Sequence, residues 1–406
     1  MKIALSLLFC LNLPLLAGTY NVMDFGAKGD GTTLNTKAIQ SAVDAASTNG
    51  GGTVLIPAGK FLTDPFTLAS GIDFHLEANA VILIDDDMTR YPVAGKRYQD
   101  TITVSGAHDV KITGSGTIDG QGQVWWDSFR TNRAMLHRPY LIKFTDCTNV
   151  IVAGVTLKNS PMFHLVPQNC TGVRIRGITI QSPEHAPNTD GIDPSGWNFL
   201  ISDCHIDTGD DNIAIKPIRN NRTPGDKNYV VENCTFVHGH GMSIGGGSAG
   251  GVEDLTVRNC AFDQTDRAIR IKTLRGNGGL VRHCVFENLT MTDIKKSPIS
   301  IVDYYPESNA PKNPADEKAV PVTEYTPQNR DIIIRNVTVT NCPNAGTIIG
   351  LPEAPIEGLT FSNVNLSAET GMIIYHAKNV RFENSTINVQ KGDPTITFDA
   401  DVTGLK

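Results

Sequence analysis

Four side chains able to move or hold a proton, or to hold charge, recur at near-regular intervals. Asp190, Asp211, His240 and Arg267 are separated by 21, 29 and 27 residues, and Asp210 stands beside Asp211. All but Asp190 lie just ahead of short segments with apolar residues at alternate positions: Asn212–Lys216, Gly241–Gly245 and Ala268–Lys272, with a fourth at Pro298–Val302. In a strand, alternation sends Ile213, Met242 and Ile269 to one face, together with Ile215, Ile244 and Ile271. Lys216, Arg270 and Lys272 then fall on the opposite face. Close carboxylates repel, so at least one should hold its proton while a neighbour stays ionised, the division of labour a general acid and base need. Arg270 and Lys272 beside them would hold an anionic partner, a guanidinium by two points and an ammonium as a point charge.

Something must stack these positions. A polar residue followed by Cys recurs as Asp146-Cys147, Asn169-Cys170, Asp203-Cys204, Asn233-Cys234, Asn259-Cys260, His283-Cys284 and Asn341-Cys342. Self-similarity over roughly 20–35 residues, built from strands rather than helices, predicts an all-β, single-stranded right-handed parallel β-helix with one repeat per coil. Successive coils lie about 4.8 Å apart, so residues one coil apart form vertical columns. One continuous core then spans 18–406, with 18–100 as N-terminal cap and first coils, although 406 residues would otherwise suggest several domains. One helix is expected after Asn35-Thr36, which can cap it; Ile39, Ala42, Val43 and Ala46 recur at helical spacing, and Asn49-Gly50-Gly51-Gly52 stops it. It would cover the open first coil, whose strand edges invite aggregation.

The first residues set an expected compartment. Lys2 precedes the apolar run Ile3–Leu16, and small residues follow at Ala17-Gly18, so residues 1–17 read as a secretory signal removed on export. The mature chain is expected to be secreted, monomeric and free of membrane. A net charge of −7 argues against nucleic acid as a partner. The seven remaining cysteines are expected as an inward-pointing ladder of mostly free, buried thiols, because parallel side chains rarely present disulfide geometry. Sequons at Asn169, Asn233, Asn288 and Asn336 are read as stacked turn asparagines rather than glycan sites.

The catalytic-type segments carry a resemblance. Asn188-Thr189-Asp190-Gly191, Gly209-Asp210-Asp211, Gly239-His240-Gly241 and Arg270-Ile271-Lys272 resemble the four signature motifs of polygalacturonases, the pectin-hydrolysing glycosidases of family 28. Gly120-Gln121-Gly122 with Trp125-Trp126, Asn159-Ser160-Pro161, Asp24-Phe25-Gly26-Ala27 and Gly29-Asp30-Gly31 extend the likeness in order along the chain. Phe163 stands where family members often carry Trp. The resemblance implies Asp210 as general acid, Asp190 with Asp211 as the water-activating pair, and His240 as a supporting residue. It implies Arg270 and Lys272 as ligands of the substrate carboxylate, with Asn188 and a tyrosine, Tyr305 or its neighbour Tyr304, nearby. Lys216, in the register of Lys272, is a further candidate substrate contact. No metal and no cofactor are implied.

The chemistry fits hydrolysis of a galacturonan by inversion, which needs one protonated carboxyl at the leaving oxygen and one carboxylate behind a water. Other classes stay open at this stage: a rhamnogalacturonan or xylogalacturonan hydrolase, a Ca²⁺-dependent lyase on the same fold, and a solenoid that only binds carbohydrate. The insertion spanning Arg219 to Asn228, with Arg222 and Lys227, is a candidate cleft wall of the kind that separates endo from exo attack.

Overall fold

The computed structural model describes residues 18–133, 136–217, 225–246 and 250–405. The segment 1–17, read above as a signal, and Arg222 lie outside the described residues. The rest is a parallel β-helix: 29 strands form one long sheet and nearly every pairing is parallel, the short hairpin Val93–Ala94/Arg97–Tyr98 being antiparallel. Each coil contributes strands to three faces. One face climbs through Thr148–Ala153, Cys170–Arg176, Gly196–Ser202, Asp226–Glu232 and Val252–Arg258. A second climbs through Thr179–Gln181, His205–Thr208, Thr235–His238 and Ala261–Asp263. The third, which carries the chemistry, climbs through Ile213–Ile215, Met242–Gly245, Ile269–Lys272 and Ile299–Val302.

The alternation in the sequence explains this core. Ile213, Met242, Ile269 and Ile299 are consecutive partners, as are Ile215, Ile244, Ile271 and Ile301, and all eight are buried. Such stacking removes like side chains from water rung after rung, at roughly 25 cal/mol per Å² of apolar surface.

The first helix, α1 (Thr36–Thr48), buries Ile39, Ala42, Val43 and Ala46 as its spacing requires, and packs on the first coil. Its start differs from expectation. The Asn35 side chain makes no cap bond. Its amide is spent on the loop before the helix, accepting from Lys28 N at 2.7 Å and donating to Lys28 O at 3.1 Å and Thr33 O at 2.6 Å. A second helix, α2 (Gln123–Thr131), was not legible in the sequence: at nine residues it is too short to establish a period. It buries Trp125 and Trp126, and Trp126 Nε1 donates to Ser160 O at 3.0 Å.

The cysteines do not form the single ladder expected. Cys170 opens a strand of the first face and Cys147 sits just before one, whereas Cys204, Cys234 and Cys260 sit just before strands of the second. Cys284 replaces Leu255 and Ile332 in another column, and Cys342 stands opposite Ala368. What the seven dipeptides share is a corner. Asp146, Asn169, Asp203, Asn233, Asn259, His283 and Asn341 are all left-handed, with φ of 53–60°, a conformation that Asn and Asp tolerate best among residues other than glycine. Such corners occur on more than one edge of the coil, which is why the spacing looked uneven. All seven cysteines are buried and free. The sequon asparagines stack as expected: Asn233 donates to Asp203 at 3.3 Å, Asn259 to Asn233 at 3.3 Å, Asn288 to Asn259 at 3.0 Å and Asn336 to Asn288 at 3.0 Å.

Candidate active site

The third face begins before its first named strand. Ile192 bridges Leu165 on one side and Ile213 on the other, so Asp190, Asp211, His240 and Arg267 each stand two residues ahead of an inward side chain. They form one column. Backbone bonds tie the rungs together: Gly191 N donates to Asp211 O at 2.9 Å, His240 N to Asp210 O at 3.0 Å and Asp266 N to Gly239 O at 2.8 Å. Gly241 after His240 has φ +78°, and a Cβ there would lie 2.1 Å from the Arg267 carbonyl oxygen. Only glycine lets the next coil approach this closely.

The charges interlock. His240 Nδ1 lies 3.0 Å from Asp210 Oδ1 and 3.6 Å from Asp211 Oδ1. Asn188 Nδ2 donates to Asp210 Oδ2 at 3.3 Å. Lys272 pairs with Asp211, Arg270 Nη1 lies 3.5 Å from the same carboxylate, and Ser243 Oγ donates to it at 2.9 Å. Lys216 is engaged twice, 2.7 Å from Asp190 and 3.1 Å from Asp193, with its ammonium 3.8 Å from the Phe163 ring centre. Arg270 and Lys272 do point away from the coil interior, but they lie in a covered floor: the Lys272 residue is 5% exposed. Between the two candidate tyrosines the geometry is unequal. The Tyr305 ring centre lies 5.9 Å from the Arg270 guanidinium and 5.5 Å from the Lys272 ammonium, whereas Tyr304 faces Arg275.

Protonation follows from these contacts. Burial, then the charge of Asp193, drives the Asp190 carboxyl well above the usual range, with Lys216 only partly offsetting them. Burial likewise lifts Asp193, to about 6. For Asp210, burial pushes up but the His240 hydrogen bond wins, leaving it below the ordinary value. For Asp211, burial is overridden by Lys272, His240 and Arg270, and it lies well below. Burial pulls the His240 imidazole down, yet Asp210 and Asp211 raise it to about 9. Of the three carboxyls expected to share the chemistry, the one that rises is Asp190 rather than Asp210, because burial and the neighbouring Asp193 outweigh Lys216 at Asp190 whereas Asp210 faces an imidazolium.

Lys216 gives a direct test of this balance. Lys216→Met leaves Asp190 and Asp193 buried without their cation, and should cost roughly 2–4 kcal/mol of unfolding free energy at pH 7. The ionised form of Asp193 is disfavoured in the fold, so the penalty grows as pH rises through about 6 and shrinks below it. Urea unfolding of both proteins at pH 5 and pH 7 measures it. An equal cost at both pH values would overturn the assignment.

Donor atoms of Asp210, Asp211 and His240 lie within 4.8 Å of one another, close enough to meet at one cation. The charge set opposes one. A protonated imidazole offers no lone pair, and Lys272 with Arg270 already neutralises Asp211.

Residues 47–395 match the family model of glycosyl hydrolases family 28. The chain belongs to that family. It is 34% identical over 374 residues to a probable polygalacturonase of Vitis vinifera, covering 86% of this chain and 74% of that one. Its fold resembles the polygalacturonase of Erwinia carotovora ssp. carotovora (TM-score 0.77, 28% identity, 90% and 97% of the two chains) and the family 28 exopolygalacturonase of Yersinia enterocolitica (0.84, 25%, 95% and 78%). This family 28 chain is thus a polygalacturonase-type glycosyl hydrolase. Among its described residues no helix is long and apolar enough to cross a membrane.

Several residues of the family 28 site escaped the sequence reading. Asp193 was findable, because alternation from inward Ile192 turns it outward beside Asp190. Arg138, buried, donates to Asn188 Oδ1 at 2.7 Å and to Pro161 O and Pro187 O at 2.8 and 2.9 Å. Glu307 pairs with Arg267 and lies 3.4 Å from Arg270 Nε. Both come from loops with no periodic signal. Lys227, placed above in a possible cleft wall, lies in Asp226–Glu232 on the first face, 3.3 Å from Asp254.

Proposed function

We propose that this family 28 protein hydrolyses the α-1,4-galacturonosyl linkages of polygalacturonan in a single displacement that inverts the anomeric carbon. The observation that carries the reading is the convergence of Asp190, Asp210 and Asp211 with Lys272 and Arg270 on one face of the solenoid. Asp210 gives a proton to the leaving glycosidic oxygen, while Asp190 and Asp211 together hold the attacking water on the far side and Asp211, the ionised member of the pair, takes its proton. The proton for Asp210 is held by the Asp210–His240 pair, which keeps it on the imidazole up to about pH 9 and passes it across their hydrogen bond. Arg270, Lys272 and Tyr305 contact a uronate next to the scissile bond, and Asn188 steadies Asp210. Lys216 holds the Asp190–Asp193 pair in place. The protein acts outside the cell as a monomer on pectic polysaccharide and needs no metal.

The test is release of reducing ends from polygalacturonate, with the product's anomeric configuration read by NMR within the first minutes. Inverted product in the presence of chelator is expected. Retained configuration removes the water-attack scheme, and an unsaturated product abolished by chelator replaces hydrolysis with elimination.

A further inference from the structure

His240 is held from both sides. Its Nδ1 meets Asp210 at 3.0 Å, and its Nε2 meets Asp266 Oδ2 at 3.5 Å from the following coil. Carboxylates only accept hydrogen bonds, and a neutral imidazole has one N–H to give, so only the doubly protonated ring satisfies both neighbours. When that ring loses a single proton, the carboxylate on each nitrogen competes for the one that remains.

We propose that Asp266 is a positioning residue that keeps the remaining proton on Nε2, so that Nδ1 is always the nitrogen exchanging a proton with Asp210. This deepens the hydrolase reading and rests on Asp210 being the acid. The Nδ1–H bond of the imidazolium breaks as its proton crosses to Asp210, and the Asp210 O–H bond so formed breaks as that proton passes to the leaving oxygen. That leaves Asp210 ionised and a neutral ring with Nε2–H directed at Asp266. Solvent returns the proton to Nδ1 after product departs. Asp266 suits the task because it is tied down: Lys296 pairs with it, its backbone N–H bonds Gly239 O at 2.8 Å, and its side chain is 17% exposed.

The other charges around the imidazole do not duplicate this role. Asp210 and Asp211 both face Nδ1, and they account for most of the ring's elevated proton affinity. Arg270 and Lys272 act on it only through Asp211, and Lys296 only through Asp266. Arg267, next in the column, gives its guanidinium to Glu307. His238 turns to Asp207 at 2.8 Å and Glu184 at 3.9 Å.

The experiment compares the full-length protein with Asp266→Asn, which keeps an acceptor for Nε2–H but not the charge, and with Asp266→Glu. Imidazole ¹⁵N NMR reads the tautomer above the His240 midpoint without reference to activity. Wild type should be Nε2–H, and Asp266→Asn should show Nδ1–H in substantial amount. The His240 midpoint in that variant should fall below the wild-type value of about 9, with Asp210 and Asp211 still holding it above the ordinary value of about 6.5. Its kcat on galacturonate oligomers should drop about tenfold with KM unchanged, its alkaline limb should move to lower pH, and Asp266→Glu should restore both. Lys296→Met, which strips the competing cation from Asp266, should move the limb the other way. A folded Asp266→Asn protein that keeps the Nε2–H tautomer, the midpoint and the kcat overturns the proposal. If wild type releases no reducing ends while the tautomer shift appears, the hydrolase reading has failed and the positioning of His240 has not.

Discussion

Asp210→Asn should lower kcat on polygalacturonate by about 10³-fold while leaving the affinity for galacturonate oligomers within about twofold. Asparagine matches the size of the carboxyl and can still accept from His240 Nδ1, at present 3.0 Å away, but it has no proton to give to a leaving oxygen. Folding should survive, since the residue sits at the rim of the column rather than in the apolar stack. A second signature separates lost chemistry from a general disturbance. Asp210 is the first of the groups that raise His240 against its burial, to about 9, so the variant's imidazole should titrate at lower pH. The stability carried by a raised histidine is present below its unfolded pKa of about 6.5 and disappears as pH climbs through the folded value. The variant should therefore lose the part of its stability that wild type keeps between about pH 6.5 and 9. Stopped assays, oligomer titration calorimetry and histidine NMR on one preparation decide the matter. Turnover within tenfold of wild type would sink the acid assignment, and a large loss of affinity would make Asp210 a binding group instead.

Much of this site could be read from the sequence because the solenoid converts sequence spacing into spatial proximity. Once Ile213, Met242 and Ile269 were taken as equivalent rungs, the stacking of Asp211, His240 and Arg267 followed, and the observed register reproduces it. Periodicity reports only what the period places, however. Arg138 and Glu307 reach the site from loops whose lengths vary freely, so no spacing announced them. The cysteine pattern misled for a related reason. It marked left-handed corners, which occur on several edges of the coil, rather than a column. Protonation was the least legible property. Counting three carboxylates predicts that one must rise, but which one depends on whether a cation or another carboxylate lies a few ångströms away. At Asp190, burial and Asp193, three residues along the chain, outweighed Lys216.

Lys272→Ala should be the most damaging change among the cations, because two functions meet on one ammonium. Lys272 is buried and paired with Asp211, while its position beside Arg270 and Tyr305 suits a substrate carboxylate. Truncation leaves the buried Asp211 with Arg270 at 3.5 Å and Ser243 as its remaining supports. Breaking such a pair costs about 3–5 kcal/mol. Asp211 is held well below the ordinary carboxylate value, with Lys272 first among the groups lowering it against burial. A depressed carboxyl stabilises the fold above its unfolded pKa and loses that contribution as pH falls through the folded one. The gap in unfolding free energy between wild type and Lys272→Ala should therefore be widest at neutral pH and close in acid. On the functional side, kcat/KM for galacturonate oligomers should fall about 10³-fold, and the loss should exceed that for neutral oligosaccharides by more than tenfold. Lys272→Arg should recover stability better than activity, since a planar fork keeps the charge on Asp211 but cannot take the same point position. Equal losses on charged and neutral sugars would strip Lys272 of its carboxylate role, and a pH-independent stability gap would show that it does not set the ionisation of Asp211.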